Sequence, residues 1–229
     1  QRLLPVVQQH ADALRLTIGG LDIPGIGKIP AALLGNNGYT LPVKAQSVPL
    51  RGGAGDQLGV QAVFRQLAGD LFDGAPSKEC VATVKAALEK VKIPVVISPG
   101  NHDFCGPGSP WLEEAWPENV HVFTKPVIES VVLPSLDCRI YGAGYQSMDC
   151  GALLENFRAE GSETYQIGIL HGDPIQKNAP YCPITQAQVA ASGLTYLALG
   201  HVHKAGSFVA GDTLCGWPGC PMGRGYDER

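Results

Sequence analysis

Four short segments hold four of the six histidines, together with aspartates and an asparagine that could bind a divalent cation beside them: Gly69-Asp70-Leu71-Phe72-Asp73, Gly100-Asn101-His102-Asp103, His171-Gly172-Asp173 and Gly200-His201-Val202-His203. Imidazole together with carboxylate suits borderline cations such as manganese, iron and zinc. The seven cysteines are scattered without a Cys-x-x-Cys pair. They read as reduced thiols rather than as a zinc knuckle built on Cys182, Cys215 and Cys220. Taken singly, each segment has a plainer reading. Asp70 and Asp73 could shape a turn, Asn101-His102-Asp103 could be a capped turn, and His171 could be a hydrogen-bonded core histidine. His201 and His203 carry more weight, because alternate residues of an extended segment face one side. In combination and in this order, the segments point to a metal centre.

The elements that must position these residues follow from periodicity. Residues 60–67 read as a buried strand running into Gly69-Asp70, and 93–98 as a second, β-branched strand ending at Pro99-Gly100-Asn101. Between them Ser77 caps a helix whose apolar positions Val81, Val84, Leu88 and Val91 recur at helical spacing, with Lys85, Glu89 and Lys90 outward. Further strands are expected at 127–133 and 139–143. Residues 165–170 form a strand ending at His171, 185–191 a short helix, and 194–199 a strand ending at Gly200-His201. Strands alternating with helices make an α/β layered fold. Ligands of such sheets bind beyond the carboxyl ends of the strands, where all four polar clusters fall.

In this order, the segments resemble the calcineurin-like metallophosphoesterase superfamily, whose pattern runs D-x-H, G-D-x-x-D, G-N-H-D/E, H-G/x-D/x and G-H-x-H; the match covers about residues 59–229. Leu67 to Asp73, Leu199 to Lys204, Trp217-Pro218-Gly219-Cys220-Pro221 and Gly223-Arg224-Gly225-Tyr226-Asp227-Glu228 resemble its DNA-repair exonuclease branch, the SbcD-like nucleases. The resemblance implies a β-sandwich flanked by helices in four α/β/β/α layers, and a metal-dependent phosphodiesterase acting on DNA. It implies two divalent cations, manganese first with iron or zinc as alternatives, and a bridging hydroxide. Asp70 would bridge the metals, Asn101, His171 and His201 would complete the second metal's shell, and His203 would serve the first metal. His102 would stand beside the scissile phosphate as acid, with Asp103 orienting its ring. Members of that branch work with an SMC-like ATPase subunit, which makes DNA and such a subunit the expected partners. A phosphoesterase for a small nucleotide or other diester, and a non-catalytic scaffold partnering an ATPase, remain open.

The pattern breaks at its start. No Asp is followed two residues later by His, and the nearest candidates are Asp22, with Pro24 where the histidine belongs, and Asp12, in His10-Ala11-Asp12. Three readings stay open: a frame error upstream of about Gly59, a genuine segment in which Asp22 or Asp12 serves alone, or lost activity. His10 is isolated, and His121, in Val120-His121-Val122-Phe123, reads as a strand histidine.

Composition bounds the rest. The 229 residues, 45% hydrophobic, suffice for one core. Hence 1–229 is expected to be a single domain, with 1–58 atypical and a C-terminal cap absent. Neither a membrane-length apolar run nor a secretory signal is present, so a cytoplasmic chain with no membrane association is expected. A net charge of −4 excludes a broadly basic nucleic-acid surface. It leaves DNA open, since bound cations would add positive charge locally. Oligomeric state is not readable.

Overall fold

The computed structural model describes residues 20–23, 27–30, 45–46, 65–91 and 93–219, the first three stretches and residues 65 and 66 by their backbone alone. A hairpin of β1 (Gly20–Ile23) and β2 (Gly27–Pro30) places Asp22 opposite Lys28. Asp12, His10, residues 60–64 and Cys220 onward lie outside the described residues.

Two sheets form the body. The smaller has the order β3 (Ala45–Gln46), β4 (Arg65–Leu67), β5 (Val95–Ile97), β6 (Val120–Val122), with the last three parallel. The larger runs β11 (Gly206–Ala210), β12 (Thr213–Trp217), β10 (Tyr196–His201), β9 (Tyr165–Gly172), β8 (Cys138–Gly142), β7 (Glu129–Leu133). Its four central strands are parallel, and antiparallel β11 and β7 close its edges.

Strand alternation distributes the apolar side chains between layers. On β5, Val95 and Ile97 pack with Val81, Val84 and Leu88 of helix α1 (Lys78–Lys90), whereas Val96 turns the other way. Val96 joins Ala68 and Phe123 against Cys138, Ile140, Ile167 and Ile169 of the larger sheet. The far face of that sheet carries Leu170, Leu197 and Leu199, and Val189 of α3 (Gln186–Ala191) lies in the same cluster. Helix, sheet, sheet, helix is therefore the layer order, as the resemblance implies.

Local chemistry sets the helix ends. Ser77 caps α1 by accepting from the Cys80 N–H at 3.2 Å, and Asn119 Nδ2 donates to the Leu88, Val91 and Ile93 carbonyls at its other end. Thr185, expected inside α3, is instead its cap, in a reciprocal box with Gln188. A four-residue helix α2 (Pro110–Glu113) seats Trp111 between Phe72 and Trp116. His121 lies in β6, a strand histidine as expected. Cys182 and Cys215 are both fully buried in the apolar cluster beneath α3. Among the described residues no helix is long and apolar enough to cross a membrane.

The inter-sheet layer should dominate stability. Ile140→Ala, at a fully buried position, is expected to cost about 2–5 kcal/mol in denaturant unfolding. Val209→Ala, at an exposed edge-strand position, should stay within about 0.5 kcal/mol of the parent.

Candidate metal centre

The same alternation that builds the inter-sheet core delivers His171. Ile167, Ile169 and His171 share one face of β9, so the imidazole enters the space between the sheets where the apolar residues end. Its Nδ1 lies 2.9 Å from the Ala68 carbonyl oxygen, just past β4. A carbonyl can only accept, so the proton sits on Nδ1 and Nε2 presents its lone pair. That lone pair faces Asn101 Oδ1 at 2.8 Å and Asp70 Oδ2 at 3.3 Å. Two side-chain oxygens, from the loops after β4 and β5, thus meet the imidazole nitrogen at the end of β9. That donor set fits a divalent cation of the nitrogen and oxygen class.

Charge supports the same fit. Asp70 and Asp103 are both buried, and among the described residues neither is paired with a Lys or Arg. Burial first, and the Asp70 carboxylate second, push the Asp103 carboxyl up to about 7. A bound cation would offset this repulsion. Among the described residues no three His, Cys, Asp or Glu side chains are gathered as a metal site; the convergent group is Asp70 and His171 completed by the Asn101 amide.

Close packing about the imidazole explains the glycines. A Cβ at Gly100 or Gly200 would lie 2.8 Å from the His171 ring, and one at Gly69 would run still more closely into its Nδ1. Each of these glycines precedes a candidate ligand, and strand register sets Gly200 directly beside His171.

Asp103 departs from expectation. Its carboxylate accepts the backbone N–H groups of Asp70, Leu71 and Gly100 at 3.0, 2.9 and 2.7 Å, with Phe72 at 3.3 Å. It ties the two ligand loops together instead of orienting His102. The His102 partner is Asp73, whose Oδ1 lies 3.2 Å from the His102 Nδ1, leaving the ring half exposed. His102 is anchored from below by its own backbone N–H, which donates to Asp70 Oδ1 at 3.1 Å. Asp70 thereby offers one oxygen to the loop and one to the cation position.

His201 and His203 part company. The extended backbone ends at His201, whose φ of 81° lies in the left-handed region, as does that of Asp70 at 55°. Strand alternation therefore does not carry on to His203, which lies exposed beyond β10. Non-glycine residues hold such angles at a cost of about 1–3 kcal/mol, which gathers at functional sites. The His201 ring packs edge-on to His171 with centroids 5.2 Å apart. Asp173 is a loop residue, accepting from the Ile175 and Gln176 N–H groups at 2.7 and 2.9 Å. The Ala68 carbonyl, and the rings of Tyr145 and Tyr181 beside the histidines, carry no signature in sequence.

Removing the Asp103 carboxylate strips the acceptor from four backbone N–H groups. Asp103→Ala is therefore expected to destabilise the fold by about 3 kcal/mol or more, read by thermal or denaturant unfolding.

The family model described as calcineurin-like phosphoesterase matches residues 62–205, which include all four ligand segments. A Bacillus subtilis (strain 168) protein, "Uncharacterized metallophosphoesterase YhaO", is 36% identical over 178 residues, covering 72% of this chain and 42% of that protein. The chain thus spans less than half the length of this relative. The convergent donor set, the glycine-flanked loops and the family match lead to one statement: the chain belongs to the calcineurin-like phosphoesterase family.

Proposed function

We propose that this metallophosphoesterase hydrolyses phosphodiesters through a dinuclear centre, with DNA as its substrate and manganese as its metal. The observation that carries the reading is the convergence of Asp70 Oδ2, Asn101 Oδ1 and His171 Nε2 beneath an outward-facing His102–Asp73 pair. Two cations would activate water as a nucleophile and neutralise charge on the phosphoryl oxygens.

The chain's own residues supply the rest. Asp70 would bridge the two cations, a role supported by its Oδ1 accepting from the His102 N–H and its Oδ2 lying 3.3 Å from His171 Nε2. His201 would join the same cation as His171, and His203 the other. His102, with its Nδ1 3.2 Å from the Asp73 carboxylate and its ring half exposed, would donate the proton to the departing alkoxide of a diester. The choice of DNA rests on the likeness of Leu199 to Lys204 and of Trp217 onward to the SbcD-like nucleases. On that likeness an SMC-like ATPase subunit would be the protein partner, acting in the cytoplasm.

Hydrolysis of bis(p-nitrophenyl) phosphate and of linear DNA, measured with and without manganese, tests this. Both activities should require the metal and be lost in EDTA. His102→Ala and Asp70→Ala should each lower kcat by about 100-fold or more. Cleavage of the aryl diester without any action on DNA would move the substrate to a small nucleotide or other diester. Absence of both activities, with fewer than two metals bound per chain, would leave a scaffold that partners an ATPase.

A further inference from the structure

We propose that Tyr181 is a positioning residue for the metal centre: its ring holds the His201 imidazole in the orientation from which it ligates. The proposal rests on the dinuclear-metal reading above, and takes it to a residue outside the four ligand segments.

His201 lies where strand geometry stops determining side-chain direction. At φ 81° its backbone has left the extended region, so the alternation that aims His171 does not aim His201. Ring contacts perform that task. The His171 ring meets His201 edge-on at 5.2 Å and 78°, and Tyr181 covers it at 4.7 Å with the planes 37° apart. Tyr145 packs edge-on to His171 at 5.4 Å, giving a continuous series Tyr145, His171, His201, Tyr181. A histidine held between two rings loses little rotational freedom on ligation, and pre-organisation of this kind strengthens binding.

The Tyr181 ring can act as a fixed platform because its backbone is secured on both sides. The Tyr181 carbonyl accepts from the Asp173 N–H at 3.0 Å. One residue earlier, the Pro180 carbonyl accepts from Cys150 at 2.7 Å, and one residue later the Cys182 N–H donates to the Cys150 carbonyl at 2.8 Å. The intervening loop is turned by Asp173, whose carboxylate accepts the Ile175 and Gln176 N–H groups. Residues 171–181 therefore leave the centre at one histidine and return to cover the other.

Manganese binding to the metal-free protein, measured by isothermal titration calorimetry, tests this in Tyr181→Phe, Tyr181→Leu and His201→Ala. Tyr181→Phe keeps the ring and should bind within about 2-fold of the parent, whereas Tyr181→Leu should weaken, by about 5- to 10-fold, the binding event that His201→Ala abolishes. In the metal-free protein, the His201 ring protons should show an upfield ring-current shift that Tyr181→Phe retains and Tyr181→Leu removes. Parent-like manganese affinity in Tyr181→Leu would overturn the positioning role alone. So would an equal loss in Tyr181→Phe, which would assign the effect to the hydroxyl. A drop of more than about 4 °C in the metal-free melting temperature of Tyr181→Leu would also overturn it, by assigning the loss to folding. A parent protein that binds no manganese would overturn the dinuclear reading and the positioning role together.

Discussion

One buried imidazole holds the two sheets of this protein in working register. His171 ends the face of β9 that packs into the inter-sheet core, and its Nδ1 reaches across to the Ala68 carbonyl of the other sheet. This single hydrogen bond fixes the tautomer, aims the Nε2 lone pair and ties the carboxyl end of β9 to that of β4. Gly69, Gly100 and Gly200 surround the same ring, each where a Cβ would collide with it. The spacing of the sequence motifs is in this sense a packing constraint: Asp70, Asn101 and His201 each follow a glycine whose Cβ would meet the His171 ring.

Asp103 performs the complementary task with the opposite polarity. By accepting N–H groups from Gly100, Asp70, Leu71 and Phe72, it makes one rigid unit of the loops after β4 and β5. Buried beside Asp70 and without a basic partner among the described residues, it raises the local density of negative charge. The fold thus holds two buried carboxyl groups whose mutual repulsion a cation at the proposed centre would offset.

Much of this was legible in the residues. Buried apolar and β-branched runs marked the strands, Ser77 marked the start of α1, and four polar clusters after strands located the site at the carboxyl ends of parallel strands. The boundaries that slipped did so where capping overrides periodicity, as at Thr185, or where a strand runs on through its polar end, as β9 does through His171 and Gly172. The assignment of Asp103 to the His102 ring failed because adjacency in sequence does not carry direction. Asp103 turns back to the backbone, and Asp73, one turn away in the other loop, reaches the imidazole. The pairing of His201 with His203 relied on extended backbone, which ends at His201. Of the two candidates for the missing opening motif, Asp22 lies in β1 opposite Lys28, and Asp12 lies outside the described residues.

The central claim is that Asp70, Asn101 and His171 form the floor of a cation site. Anomalous diffraction at the manganese edge, from crystals equilibrated with that metal, addresses it most directly. A peak is expected at ligating distance from Asp70 Oδ2, Asn101 Oδ1 and His171 Nε2, with a second peak on the other side of Asp70. Crystals whose anomalous density lies elsewhere, leaving these three atoms only in contact with one another, would contradict it.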